Sequence, residues 1–399
     1  MTTLDLDFVR NQFPAFRAPE LEGWDFFENA GGSYPCQQVV DCLTDVYTNC
    51  KTQPYWAFPS SERLGQMMDD ARLKLARQMR VAPDEVHFGP STTQNVYVLA
   101  QAFRETLAPG DEIIVTNQDH EANTGAWRRL ANAGIVVREW QVDPATGHLP
   151  AEGLEALLTE KTKLVCMPHA SNIVAEINPV AELVAKAHAA GAVTVVDGVS
   201  YAPHGLPDVQ ALGADVYLFS SYKTYGPHQG VMVMRHGLAD RLVSQGHGFN
   251  EGARTKRFTP AGPDHAQIAA LGAMADYFEG VSTHHGSASA HDLMRAAEVA
   301  RMAPLIEWLS GRNNIRLIGP SDPASRAPTF AILHERGGED LAAEMAQHRI
   351  MCGGGDFYSP RVLEAMGIDP SHGVLRVSFT HYTSAEEVDR LITALDRVL

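Results

Sequence analysis

A chain of 399 residues with 45% hydrophobic and 20% charged side chains can bury a sizeable core, and its length suits two domains, with room for a third. Its formal charge of −16 at pH 7 argues against nucleic-acid binding and against attachment to an anionic membrane, since both need clustered Lys and Arg. Five cysteines (Cys36, Cys42, Cys50, Cys166, Cys352) are scattered without a CxxC pair, which supports neither a zinc site nor a disulfide framework and suggests reduced structural thiols.

The N-terminal stretch Met1-Thr2-Thr3-Leu4-Asp5-Leu6-Asp7 lacks the basic region and apolar core of a signal peptide. No apolar run approaches the roughly 18 residues of a membrane span, so a cytoplasmic location is expected. Leu64, Met67, Met68, Ala71 and Leu75 fall on one stripe and predict a helix over Ser61–Met79, with its methionines in core packing. Next, Gly89-Pro90-Ser91-Thr92-Thr93-Gln94-Asn95 precedes an apolar helical pattern (Val96, Leu99, Ala100, Phe103). Backbone N–H groups and hydroxyls at such a helix start suit a phosphate, and a plain N-cap reads the same way.

Short apolar runs follow at Glu112–Thr116, Ile135–Trp140, Leu164–Pro168, Val193–Asp197, Val216–Ser220 and Val231–Arg235, with helical segments such as Pro179–Ala190 between several of them. That alternation predicts a mostly parallel sheet covered on both faces. The last two runs are too close for a helical crossover, so the strand from Val231 is expected to be antiparallel to its neighbours. From about residue 270 a long helical region leads to strands at Phe330–Leu333 and Val374–Phe379 and to a terminal helix over Ser384–Val398. The expected division is an N-terminal segment (1–25) packing with the small domain, a large domain (26–270) and a smaller α+β domain (271–399).

Ligands in open α/β sheets bind beyond the carboxyl ends of the strands. Four crossovers here bring polar residues to that edge: Asn117-Gln118-Asp119-His120, His169-Ala170-Ser171-Asn172, Asp197, and Ser220 to Lys223. Lys223 is delivered by an apolar strand into a turn of hydroxyls and glycine, where it can form a Schiff base. Lysines more often end as solvated charges, and an aspartate at a strand end is commonly a cap. Together, however, Lys223 and Asp197 suit pyridoxal phosphate (PLP), which needs an amine for its aldehyde and an acid to keep its pyridine nitrogen protonated as an electron sink. His120 can lie over a flat ring or be a satisfied structural histidine. Asn172 can hydrogen-bond the ring hydroxyl. Arg376, inside an apolar strand, needs either a substrate carboxylate or an internal salt bridge. A metal-dependent hydrolase using His120, His169, His204 and His228, or a non-catalytic binding protein, would be competing classes.

The ordered series Phe26-Phe27-Glu28-Asn29-Ala30-Gly31-Gly32, Ser91-Thr92-Thr93-Gln94, Asp119-His120-Glu121-Ala122-Asn123, His169-Ala170-Ser171-Asn172, Asp197-Gly198, Ser220-Ser221-Tyr222-Lys223 and Leu375-Arg376-Val377-Ser378 resembles the class V aminotransferase group of PLP enzymes. The likeness is strongest to the cysteine desulfurase and selenocysteine lyase branch, from about Phe26 to the end. The resemblance implies PLP fold type I: an α/β protein with a mostly parallel seven-stranded sheet in a large domain and a smaller C-terminal domain. It also implies PLP as cofactor, a homodimer and a small amino-acid substrate. Lys223 then corresponds to the residue that holds the aldehyde, Asp197 to the partner of the pyridine nitrogen, His120 to the stacking histidine, and Asn172 to the contact with the ring oxygen. Thr92, Thr93 and Ser220 match phosphate-binding positions. Tyr222 stands in place of a histidine that often does this work, and Ser200 stands where desulfurases often have a glutamine. Arg376 matches the carboxylate-binding arginine. Arg257-Phe258-Thr259-Pro260-Ala261-Gly262 resembles the segment that brings Thr259 across to the other subunit's phosphate.

The departures concern sulfur. Where desulfurases carry a nucleophilic cysteine, this chain reads Met351-Cys352-Gly353-Gly354-Gly355-Asp356-Phe357-Tyr358-Ser359-Pro360, with Tyr358 nearest the nucleophile's place. Cys352 is expected to be buried or carried on a flexible triple-glycine loop. The expected activity is a PLP-dependent lyase performing β-elimination at a C–S bond of a cysteine derivative, with Tyr358 or His228 supplying a proton. Cysteine desulfurisation, transamination and epimerisation are the alternatives.

Overall fold

The structure is a computed structural model that describes residues 3–399; Met1 and Thr2, which begin the N-terminal stretch read above, lie outside the described residues. Its strands are β1 (Asp25–Phe26), β2 (Val86–Gly89), β3 (Glu112–Thr116), β4 (Val136–Trp140), β5 (Thr162–Pro168), β6 (Val193–Asp197), β7 (Val216–Ser220), β8 (Gly230–Met234), β9 (Ile315–Leu317), β10 (Thr329–His334), β11 (Ile350–Met351), β12 (Gly353–Gly355) and β13 (Val374–Ser378). Seven of them form one sheet in the order β2-β8-β7-β6-β5-β3-β4. Only β8 runs against the rest, pairing antiparallel with β7 and β2. The chain between Ser220 and Gly230 makes only a tight turn, and a parallel return would need a helix. The expected α/β fold with a mostly parallel seven-stranded sheet is observed. Strand β2 escaped the sequence reading because it is a short edge strand with no alternation of its own.

Side-chain alternation divides this sheet between two cores. Val165, Met167, Val196, Tyr217 and Phe219 face the core shared with the helix Pro59–Met79. Leu164, Cys166, Val195, Val216 and Leu218 face the core under the helix Thr92–Arg104. Both faces are therefore dry, the condition of a parallel sheet sandwiched by helices. The helix Pro59–Met79 begins slightly before the predicted start because Pro59 occupies its first turn, and it ends at Arg80, whose φ of 56° is left-handed.

The smaller domain holds an antiparallel sheet in the order β12-β13-β10-β9. Phe330, Ile332, Leu375 and Val377 pack there against Leu305, Leu309, Leu391 and Leu395. Here the triple-glycine expectation is corrected: Gly353–Gly355 is a strand in register with β13, not a flexible loop. A Cβ on Gly354 would collide with the backbone of Gly338, so glycine is what lets the helix Gly338–Gln347 lie against this edge.

The boundary expected at residue 270 falls inside a continuous helix, His265–His284, which packs on Pro59–Met79. The N-terminal segment touches both parts: Arg10 pairs with Glu387 at 2.8 Å, and Phe13 packs edge-on against Tyr225, Tyr277 and Tyr382. No helix among the described residues is long and apolar enough to cross a membrane.

Candidate active site

Because β3, β5, β6 and β7 are parallel, the residues after each of them emerge at one edge of the sheet. His120, Asn172, Asp197 and Lys223 line one inner recess there, of about 60 Å³, together with Thr92, Thr93, Ser200, Ser220 and Tyr222. The recess adjoins an outer cleft of about 820 Å³ whose lining includes Arg376, Glu28 and Tyr358. The structure thus gathers there every residue expected to hold the cofactor or substrate except Thr259 and His228.

Lys223 sits at the end of the short turn Ser221–Lys223 and is 8% exposed. Its amine makes no hydrogen bond among the described residues, and burial, with the nearby Arg376 charge, pushes its pKa down to about 8 against the pull of Asp197. Asp197 accepts a 2.8 Å hydrogen bond from Val199 N on one oxygen, which leaves the other without a protein partner. Burial raises its pKa to about 6, while Val199 N–H and Lys223 oppose the shift. Beside it, Asp119 is pushed well up by burial and by the charge of Asp197. Asp119 accepts from Asn123 Nδ2 at 2.6 Å and from His120 N at 2.9 Å, and so fixes the His120 backbone.

His120 Nδ1 accepts from Ala122 N at 3.0 Å, which puts the ring proton on Nε2. Burial and the charges of Lys223 and Arg376 push its pKa down to about 3, so the ring is a neutral, flat surface at pH 7. At the other end of the recess Thr92 Oγ1 and Ser220 Oγ lie 2.8 Å apart, at the N-terminus of a helix capped by Ser91. A Cβ on Gly230 would collide with the Ser91–Thr92 backbone, so glycine is what lets β8 pass beneath that helix end.

Arg376 is 3% exposed. Its Nη2 donates to Glu28 Oε1 at 2.9 Å and its Nη1 to the Asn172 carbonyl at 3.3 Å, while the guanidinium stacks 3.7 Å over the Phe357 ring. The internal salt bridge therefore exists, yet Arg376 Nε and Glu28 Oε2 keep no partner. Tyr358 stands at the mouth, 72% exposed, its ring 5.6 Å from that of His120. Phe357 and Tyr358 have left-handed φ values of 51° and 58°, a conformation that costs non-glycine residues energy. Asn172 holds this bend: its Nδ2 donates to Phe357 O at 3.0 Å, and its Oδ1 accepts from Ser359 Oγ at 2.8 Å.

Two expected residues lie elsewhere. His228 stacks on Tyr222 at 4.8 Å and lines a neighbouring groove of about 840 Å³ that also carries Thr259. Within its own chain Thr259 donates to Phe88 O at 3.4 Å. Cys352 lines neither cavity. It packs against the small-domain core, and burial pushes its thiol up to about 12. The histidines of the hydrolase alternative are scattered: His169 stacks on Tyr201 at 3.6 Å and His204 pairs with Glu298 at 2.9 Å. No group of three or more metal-binding side chains occurs among the described residues. Glu28 was quoted from the sequence only as part of a motif, and the question of what neutralises a buried Arg376 would have singled it out.

A sequence profile described as "Aminotransferase class-V" matches residues 25–391. The chain is 33% identical over 410 residues to "Aminotransferase-like protein FGM3" of Gibberella zeae, an alignment covering 100% of this chain and 99% of that protein. It is 29% identical over 413 residues to a cysteine desulfurase of Serratia proteamaculans, covering 98% of each. Among solved structures, the apo cysteine desulfurase from Thermococcus onnurineus NA1 shares the fold with a TM-score of 0.88 at 23% identity, over 100% of this chain and 99% of that one.

Proposed function

The chain belongs to the class V aminotransferase family, and from that premise we propose that it is a lyase catalysing β-elimination at the C–S bond of a small cysteine derivative. It is a PLP-dependent enzyme of aminotransferase-like or desulfurase-like kind, and the side chains that line the recess and the adjoining cleft suit the chemistry of that cofactor. The Lys223 amine has no competing hydrogen bond, Asp197 has a free oxygen, His120 offers a neutral ring, and Thr92 and Ser220 present paired hydroxyls. When bound, PLP supplies an electron sink for charge developing at the substrate α-carbon.

The chain's own residues supply the rest. Arg376, sharing or exchanging its pairing with Glu28 and held flat by its stack on Phe357, would orient the substrate carboxylate. The Lys223 amine, with a pKa of about 8, would take the α-proton, a base matched to neutral pH. Tyr358, at the mouth, would give a proton to the departing sulfur. Thr93, Asn172, Ser200 and Tyr222 would hold the cofactor's remaining polar edge. A cytoplasmic homodimer completes the reading, with Thr259 and the His228 groove facing the second copy.

The observation that carries this reading is the position of sulfur chemistry: no cysteine lines the cleft, and the half-buried Cys352 has its thiol pushed up to about 12. Desulfurisation needs a thiolate nucleophile, whereas elimination needs only a base and a leaving group. The test is to incubate the PLP-loaded protein and its Cys352→Ser variant with L-cysteine and S-alkyl-L-cysteines. Pyruvate and ammonia from both proteins are expected. Alanine with sulfane sulfur, lost in the variant, would replace elimination by desulfurisation.

A further inference from the structure

The outer wall of the cleft carries positive charge that the chemistry at Lys223 leaves unused. Asp and Glu outnumber Lys and Arg in the whole chain by 48 to 32, yet the cleft is lined by Arg128, Arg129, Arg361, Arg376 and Lys223 against only Glu28 and Glu121. Glu28 is taken by Arg376. Beyond it, Arg128 and Arg361 converge on a single carboxylate, Glu139, with Arg361 at 3.4 Å, so two guanidinium groups share one negative charge. Arg128 Nε is buried without a partner. Arg129, on the turn after Arg128, makes no ion pair or side-chain hydrogen bond among the described residues and is exposed. A basic wall on a protein of charge −16 is opposite to what surface solvation alone would distribute, and fixed guanidinium forks match oxyanions.

The cleft of about 820 Å³ is lined by Lys223, His120 and Tyr222 as well as by Arg376 and this wall, so it has to take the cofactor and the substrate together, and its volume lies in the range of sites for such ligands. We propose that the substrate is an amino acid whose side chain ends in a second anionic group, a carboxylate or a sulfur oxyacid, with Arg376 taking the α-carboxylate and Arg128, Arg129 and Arg361 taking the distal anion. This rests on the reading that the Lys223 site processes an amino acid. It goes further in specifying the side chain, for which a neutral S-alkyl group would leave the wall without a partner.

Two ligands with the same carbon count, L-2-aminoadipate and L-norleucine, separate the distal charge from everything else. Titration calorimetry of the PLP-loaded protein at low salt should give at least tenfold tighter binding of aminoadipate, the magnitude of one or two charge-assisted hydrogen bonds. That preference should shrink as salt is added. In the Arg129→Gln/Arg361→Gln double variant the ratio should fall towards one, and norleucine affinity in the same protein reports whether the site is still folded. A ratio near one in the parent protein, or a ratio undiminished in the double variant, overturns the assignment. Pyruvate release from S-(2-carboxyethyl)-L-cysteine, a thioether that carries the distal carboxylate, is scored separately. Its absence, with the aminoadipate preference intact, would count against elimination alone. Its presence, with no preference between the two ligands, would count against the distal-anion site alone.

Discussion

Arg376 Nη2 lies 2.9 Å from Glu28 Oε1, so the one guanidinium buried in the cleft meets a carboxylate of its own chain before any substrate arrives. A substrate carboxylate must therefore share Arg376 with Glu28 or displace it. Glu28→Gln removes the competing charge while keeping a hydrogen-bonding side chain. Affinity for a simple amino acid such as L-norleucine should rise several-fold, while the fold loses about 1–3 kcal/mol from leaving a buried guanidinium short of its partner. Titration calorimetry and thermal melting measure the two effects, and unchanged affinity would mean that Glu28 does not compete for the substrate's site.

Lys223 has its amine pKa lowered to about 8 from the usual 10.5. Only the uncharged amine attacks an aldehyde, so capture of PLP by the apoprotein should accelerate as pH rises through about 8 and level off above it. An ordinary lysine would continue to gain rate towards pH 10. Stopped-flow absorbance across pH 6–10 distinguishes the profiles, and Lys223→Ala should abolish both covalent retention of the cofactor and turnover.

Asn172 ties the recess to the bend at Phe357 and Tyr358 through two side-chain hydrogen bonds. Asn172→Ala should release that left-handed segment and cost about 1–3 kcal/mol, since it leaves Phe357 O and Ser359 Oγ without their partner. The expected readout is a lower Tm together with faster proteolysis confined to residues 356–360. A variant as stable as the parent would show that the bend is held by other contacts.

His87 sits fully buried on β2, where burial and the charge of Arg72 push its pKa down to about 3 from the usual 6.5. Between these values the unfolded chain binds a proton that the folded chain does not. The neutral ring is therefore compatible with full stability above pH 6.5, and stability falls as the solution is acidified, by about 1.4 kcal/mol per pH unit for this group. His87→Phe should flatten that part of the stability curve. Urea melts at pH 4.5 and pH 7 should show a smaller difference for the variant than for the parent, and an equal difference would assign the acid sensitivity to other groups.

Much of the large domain is legible without coordinates, because what defines it is local. Apolar runs such as Val193–Asp197 and Val216–Ser220 need only their own composition to be read as buried strands. The shortness of the chain from Ser220 to Gly230 forces β8 to run antiparallel, and parallel crossovers carry His120, Asn172, Asp197 and Lys223 to one edge by connectivity alone. The convergence of the inner recess follows from these rules. What the tertiary structure decided lies between residues far apart in the chain. Arg376 and Glu28 are separated by 348 positions, Asn172 and Ser359 by 187, and Arg361 reaches Glu139 across 222. No periodicity marks such pairs, because each is fixed by how the small domain docks beside the large one. The same holds for Gly353–Gly355, which its composition describes as a flexible link. Only the approach of β13 on one side and of Gly338 on the other makes it a strand, since backbone without side chains forms a sheet edge wherever packing leaves room for nothing larger.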